Sequence, residues 1–301
     1  MIKSLTISGA TSMLGIATIK TALKCGYSII CIIRKNSSRK KKLLEIKNEN
    51  LEIVECDLKD YCNLDLKKKS DVFIHFAWDK TSATERDDVD IQLDNIKYTL
   101  DAVRLAARLN CKVFIGAGSQ AEYGIQTEKL TPELPCNPES GYGIAKFSAG
   151  KFSKMLCKQL GIRFNWLRIL SVYGIGDGKN TLISYIIETL KKGESPLLTP
   201  CTQTWDYLFS EEAAKAILCV SEKGIDGKVY PLGSGIGRKL STYVEEIRDL
   251  INPEIPLKFA SKPFYPHQPM YLVADVSALK NDTGWQNETD FISGIKKILN
   301  S

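Results

Sequence analysis

A phenol and an ammonium stand at i and i+4 in Tyr142-Gly143-Ile144-Ala145-Lys146. On a helix such a pair shares one face. A free tyrosine ionises at about pH 10, which makes it a poor acid or base near neutrality. An adjacent ammonium and a positively charged nicotinamide ring favour the phenolate and lower that value. A tyrosine in that setting gives or takes a proton at a carbonyl or alcohol while a hydride moves. The spacing alone is common on amphipathic helices. It gains meaning from Ser119 in Gly116-Ala117-Gly118-Ser119-Gln120-Ala121-Glu122-Tyr123-Gly124, a hydroxyl expected just past a fifth strand, one helix before Tyr142.

Near the start lies Gly9-Ala10-Thr11-Ser12-Met13-Leu14-Gly15. Gly9 permits a tight turn, Gly15 permits close packing of helix on sheet, and a helix beginning there offers free N–H groups and a positive dipole end to a pyrophosphate. A full Gly-x-x-Gly-x-x-Gly spacing would place glycine at Ser12. Serine still caps the helix and donates a hydroxyl, though it leaves less room for a backbone approach. Gly9, Thr11, Ser12, Met13, Leu14 and Gly15 are therefore candidate cofactor ligands, against the plainer reading of an ordinary strand–turn–helix corner. Sites for NAD place an acid at the end of the second strand, on the ribose 2′-hydroxyl. Here that strand ends Ile33-Arg34-Lys35-Asn36-Ser37-Ser38. Arg34 suits a 2′-phosphate, with Lys35 and the hydroxyls of Ser37 and Ser38 adding to it. NADP(H) is preferred, with NAD(H) as the open alternative; a surface Arg lying along apolar neighbours is the bland one. Asp57, in Cys56-Asp57-Leu58, can accept from an adenine amino group.

These groups need a scaffold that brings distant segments to one edge. Short apolar runs at 5–8, 28–33, 51–54, 71–76 and 112–117 read as strands, and 13–25 and about 85–109 as helices. The run Ile29-Ile30-Cys31-Ile32-Ile33 is apolar on both faces, as in a parallel sheet covered by helices. The repetition implies an α/β fold, a doubly wound parallel (Rossmann) sheet with right-handed crossovers and a ligand at the carboxyl ends of the strands. Beyond about residue 170 the rhythm changes: Gly174-Ile175-Gly176-Asp177-Gly178 is a loop, 181–192 a helix, and prolines gather at 253, 256, 263, 266 and 269. Residues 1–170 are read as the dinucleotide domain and 171–301 mainly as a smaller C-terminal substrate-binding lobe, with some segments returning to the first domain.

Composition bounds the rest. With 44% hydrophobic and 25% charged residues, the chain can bury a core and is not disordered. A net charge of +6 is too small to argue for nucleic acid. No apolar run nears the roughly 18 residues of a membrane span, and 1–5 carry no leader pattern. Nine cysteines, an odd number without a Cys-x-x-Cys pair, read as reduced thiols of a cytoplasmic protein and not as a disulfide or zinc framework. The basic runs 39–42 and 67–69 are read as solvated helix faces. His75 and His267 stand too far apart in sequence for metal-site spacing, and no metal site is expected.

Taken together, Gly9 to Gly15, Asp57-Leu58, His75-Phe76-Ala77-Trp78, Asn95, Ser119 to Gly124, Tyr142/Lys146, Leu167-Arg168-Ile169-Leu170-Ser171-Val172-Tyr173-Gly174, Thr204-Trp205-Asp206-Tyr207-Leu208, Ala274-Asp275-Val276-Ser277 and Thr283-Gly284-Trp285 resemble an extended short-chain dehydrogenase/reductase of the nucleotide-sugar epimerase/reductase group (the NAD-dependent epimerase/dehydratase family), nearly end to end. The resemblance implies Tyr142 as proton donor and acceptor, Lys146 on the nicotinamide ribose hydroxyls, and Ser119 on the reacting sugar oxygen. It also implies Phe76, Ala77 and Trp78 along the cofactor, Leu170 near its ring, and a homodimer formed through a bundle containing the Tyr142 helix.

The departures narrow the activity. The family's 4,6-dehydratases carry an Asp-Glu pair directly after the active-site hydroxyl, where this chain has Gln120 and Ala121. Neither titrates, so the acid and base for water loss are missing, and Glu122 one place on is read as structural. Trp205 stands where many relatives have an Arg, and the Pro266-His267-Gln268-Pro269-Met270 segment where they place an Arg for the pyrophosphate. The expected substrate contacts are Gln120, Ser171, Thr181, Trp205 and His267. The reading is an NADPH-dependent reductase of a dTDP- or CDP-linked 4-keto-6-deoxy nucleotide-sugar. A 4-epimerase with tightly held NAD is the alternative, and a non-catalytic NADP sensor, which would lack the Tyr/Lys pair, is a third reading.

Overall fold

The strand Ser28–Ile33 dictates the architecture, because Ile29 to Ile33 are all buried and such a strand must be covered on both faces. The computed structural model describes residues 3–81, 85–264 and 268–301 and supplies that cover. In chain order the elements are β1 (Ser4–Ser8), α1 (Met13–Lys24), β2 (Ser28–Ile33), α2 (Lys40–Leu44), β3 (Leu51–Glu55), β4 (Val72–His75), α3 (Val89–Arg108), β5 (Val113–Ser119), α4 (Gly141–Leu160), β6 (Arg163–Ile169), β7 (Ser171–Tyr173), α5 (Leu182–Lys191), β8 (Thr204–Trp205), β9 (Tyr207–Phe209), α6 (Ser210–Lys223), β10 (Val229–Leu232), β11 (Arg238–Lys239), α7 (Leu240–Ile251), β12 (Tyr271–Leu272), α8 (Ser277–Thr283) and α9 (Phe291–Leu299). Among the described residues the main sheet has seven strands in the order β3-β2-β1-β4-β5-β6-β10, each pair parallel. The order reverses between β1 and β4, which opens a crevice at their carboxyl ends.

Alternation along each strand sorts side chains to the two faces. Leu5, Ile7, Val72 and Ile74 join the core beneath α1 and α6, whereas Phe73, Phe114 and Phe164 join the one beneath α3 and α4. A third core of Ile186, Ile187, Tyr243, Ile247, Phe291 and Ile295 unites α5, α7 and α9. Two small sheets, β11-β8-β12 and β7-β9, adjoin it. The chain beyond residue 170 also sends β10 back to the main sheet, beside β6.

Several boundaries differ from expectation. The third helix starts at Val89, because the Asp88 carboxylate caps it by accepting from Ile91 N at 3.2 Å, and 85–87 form a turn. The run 39–42 enters the short α2, whereas 67–69 is exposed but lies on a bend and coil, not on a helix. Among the described residues no helix is long and apolar enough to cross a membrane. All nine cysteines are unpaired.

Candidate active site

The turn after β1 is shaped by its neighbour across the crevice. Gly9 has φ +69°, and a Cβ there would lie 2.6 Å from Ala77 N, so only glycine lets the turn meet the chain leaving β4. Ser12 caps α1, its Oγ accepting from Gly15 N at 3.0 Å. The second-strand corner folds onto this turn: Ser37 Oγ donates to Thr11 Oγ1 at 3.0 Å, and Asp57 Oδ1 accepts from Lys35 N at 3.1 Å. Arg34 is exposed at the end of β2. These features fit a dinucleotide: a glycine turn into a capped helix N-terminus, flanked by a corner that carries Arg34 and Lys35, with Asp57 as the acid bonded to its backbone.

Ser119 ends β5, and so stands on the strand, not past it. Its Oγ accepts from Ala121 N at 3.2 Å. Tyr142 is the second residue of α4, whose N-terminus Ser140 caps by accepting from Gly143 N at 3.1 Å. Lys146, one turn on, is 4% exposed and donates to Ala117 O at 2.7 Å. Its Nζ lies 3.7 Å from the Trp78 ring centroid and 5.7 Å from that of Tyr142, and the two rings meet edge to face at 5.9 Å. Trp78 is itself held, its Nε1 donating to Gln92 Oε1 at 3.0 Å. Asn95 clamps the next residue, accepting from Asp79 N at 2.9 Å and donating to Asp79 O at 3.0 Å.

Burial dominates the electrostatics of the two titratable groups in the protein by itself. Burial raises the Tyr142 phenol above the ordinary tyrosine value, against a hydrogen bond with Ser119 and the charge of Arg86, which lower it. The Lys146 ammonium is aimed at Ala117 O and the Trp78 ring, away from the phenol. Burial likewise pulls Lys146 down to about 7, opposed by the charge of Glu122. Behind it His75 is buried, with Nδ1 2.7 Å from Ser8 Oγ and Nε2 without a hydrogen-bond partner. It is a core residue satisfied at one nitrogen only, and burial, then Lys146, pushes it down to about 3. Among the described residues no cluster could hold a metal.

Glu122 faces away from the cavity, as a buried brace. Its Oε1 accepts from Ser119 N at 2.8 Å and Trp166 Nε1 at 2.9 Å, and its Oε2 pairs with Arg168 Nε at 2.9 Å.

A cavity of about 520 Å³ opens at the carboxyl edge of the sheet. Of the residues picked from sequence, Ser12, Leu14, Phe76, Trp78, Ser119, Gln120, Tyr142, Lys146, Leu170, Ser171, Thr181 and Trp205 line it. Gly9, Thr11, Met13, Gly15, Arg34, Lys35, Asp57, Leu58 and Ala77 do not: Met13 and Gly15 stand in the first turn of α1, Leu58 in a short 3-10 turn after β3, and the rest in the connections that follow β1 to β4. His267 lies outside the described residues. Trp205 Nε1 donates to Ser171 Oγ at 2.8 Å, so the indole is both wall and core. Sequence reasoning missed Thr81, Arg86 and Asp177, which also line the cavity. Neither Thr81 nor the turn at 85–87 carries a periodic pattern. Asp177 had only its glycine loop as a signal; it accepts from Gly178 N at 2.7 Å and Thr181 Oγ1 at 3.0 Å.

A sequence profile of the NAD dependent epimerase/dehydratase family matches residues 5–233. The chain is 25% identical to a putative UDP-glucose 4-epimerase of Methanocaldococcus jannaschii, over 98% of this chain and 96% of the other. It is also 25% identical to a CDP-abequose synthase of Salmonella typhimurium, over 97% and 96%. Its fold superposes on the solved structure of the UDP-N-acetylglucosamine 4-epimerase of Methanobrevibacter ruminantium M1 with a TM-score of 0.88 at 23% identity, covering 99% of each chain.

Proposed function

The chain belongs to the NAD dependent epimerase/dehydratase family, and from that premise we propose that it is an NADPH-dependent reductase of a 4-keto-6-deoxy nucleotide-sugar, dTDP- or CDP-linked. At the coarser level it is an NAD(P)-dependent enzyme acting on a CH–OH or C=O group of a nucleotide-sugar. The CDP-linked option is supported by the similarity to a CDP-abequose synthase.

Tyr142 donates its phenolic proton to the C4 carbonyl oxygen as the carbon is reduced. The Ser119 hydroxyl donates to the same oxygen and polarises the C=O. When bound, the dinucleotide supplies the hydride. Lys146 holds its ribose hydroxyls, with Phe76, Ala77, Trp78 and Leu170 beside it; the turn Gly9 to Gly15, with Asp57 and Leu58, takes its pyrophosphate and adenine. Gln120, Ser171, Thr181 and Trp205 contact the sugar nucleotide from the 171–301 lobe and its rim. Water loss has no catalysts next to Ser119: Gln120 and Ala121 do not titrate, and Glu122 is consumed by Ser119 N, Trp166 and Arg168.

The observation that carries net reduction is the cationic corner at β2. An epimerase returns its hydride and keeps its NAD; a net reductase exchanges NADPH. Arg34→Glu is expected to weaken NADPH binding by roughly tenfold to a hundredfold and to spare NADH, read by titration calorimetry with both dinucleotides. Equal wild-type affinity for the two would remove the role of Arg34. The activity is tested by following NADPH loss with dTDP- and CDP-4-keto-6-deoxyglucose. Retained NAD with no net redox change would instead establish the epimerase reading, which the similarity to a putative UDP-glucose 4-epimerase favours.

Two further features complete the proposal. Ile144, Phe152 and Met155 on α4 and Leu93 on α3 are exposed apolar side chains, and large exposed apolar patches mark association sites. A homodimer through these helices is expected, and sedimentation as a monomer at micromolar concentration would exclude it. Nine unpaired cysteines suit the reducing cytoplasm.

A further inference from the structure

Residues 85–88, just before α3, are built onto the active-site helix by contacts that the reaction itself does not use. Gly141, the first residue of α4, donates its N–H to Asp87 Oδ1 at 2.8 Å. A Cβ on Gly141 would come within 3.1 Å of Arg86 O and 3.3 Å of Asp87 Cα, so glycine lets these residues lie flush against the helix end. The next residue, Asp88, caps α3. Lys80 pairs with Glu85 at 2.5 Å, and Arg86 Nε donates to Thr81 O at 3.1 Å. Fastened in this way, Arg86 lines the cavity with its guanidinium carbon 4.9 Å from the Tyr142 ring centroid.

Among the described residues, charged groups surround the phenol from several elements: Asp87 bonds the α4 N-terminus next to Tyr142, Asp177 stands on the cavity wall after β7, and three more are Lys146, Glu122 and Arg86. Lys146 lies on α4 itself, 5.7 Å from the ring. Glu122 lies on the turn after β5 and is paired with Arg168. Arg86 lies on the turn before α3. The positive end of α4 adds its dipole, since Tyr142 is in the first turn. Burial and the Glu122 charge raise the phenol, while Arg86 acts against them.

We propose that Arg86 is a positioning residue for the catalytic phenol, holding the Tyr142 ring by a cation–π contact and biasing its hydroxyl toward ionisation. The inference rests on the reading of Tyr142 as proton donor. A general acid works best when it ionises near the working pH, and a tyrosine raised by burial needs a cation to offset that. An opposite charge at this range moves an ionisation by about one unit or more; exposure of Arg86 sets the effect at the low end.

The test uses Arg86→Gln, Arg86→Met and Arg86→Lys in the full chain. The ultraviolet absorbance of ionised tyrosine, taken as the difference between each protein and its Tyr142→Phe counterpart, isolates this one phenol. Both neutral variants are expected to titrate about one unit above the parent, and the Lys variant to recover most of the difference. The alkaline limb of kcat against pH moves by the same amount, with KM for the dinucleotide unchanged. Superimposable titrations of the parent and either folded neutral variant overturn the proposal, even if turnover falls. The titration needs no sugar nucleotide, so a shifted phenol in a protein that reduces no keto-sugar would sink the reductase reading and leave this inference standing.

Discussion

Tyr142→Phe is expected to lower the rate of keto-sugar reduction by about a thousandfold, equivalent to roughly 4 kcal/mol of transition-state stabilisation. The substitution removes one oxygen and little else. The ring keeps its edge-to-face contact with Trp78 and its place beneath Arg86, so melting temperature and dinucleotide affinity are expected to stay close to wild type. Loss of kcat with an unchanged KM for the dinucleotide is the signature of a group that acts only in the chemical step. Undiminished turnover would discard the acid assignment. The donor must carry its proton, so reduction falls as pH rises through the Tyr142 ionisation, and burial of the phenol keeps the rate high across neutrality.

Lys146→Met is expected to separate stability from activity. The ammonium ionises near 10.5 when the chain is unfolded and at about 7 in the folded cavity, because burial penalises its charge. Between those values the unfolded chain holds more protons, so the stability of the cofactor-free protein rises with pH across that window. Below about pH 7 the cost of the buried charge is fully present. A methionine of similar reach removes that cost and also loses the bond to Ala117 O and the contact with Trp78. A net gain of about 2 kcal/mol at neutral pH is expected. It should shrink as pH rises, when wild type sheds the proton anyway. Urea unfolding at neutral and alkaline pH reads this directly, and a variant less stable than wild type at neutrality would show that the ammonium is not strained. Turnover should fall at least a hundredfold, the familiar exchange of stability for function at an active site.

Much of the scaffold was legible because it is encoded locally. The apolar run at Ile29 to Ile33 announces a strand covered on both sides, and the glycines at 9 and 15 around Ser12 announce a strand turning into a capped helix. Tyr142 and Lys146 share a face because helical spacing puts them there. Glu122, one place past the two positions that matter for water loss, reads as a structural acid, and it is a brace between β5 and β6.

What lay beyond the sequence concerns pairs separated by tens of residues. Arg86 meets Tyr142, Ser37 meets Thr11, and Lys146 turns to Ala117 and Trp78 only because strand order and helix packing bring those segments together. Local periodicity reports a residue's own turn or pleat; it carries no information on which loop will lie across a helix end. The balance at the phenol is of the same kind. A neighbouring ammonium suggests an acidic tyrosine on paper, but the direction of the shift depends on how much water the packed cavity removes and where the ammonium points, and both are decided by the tertiary fold.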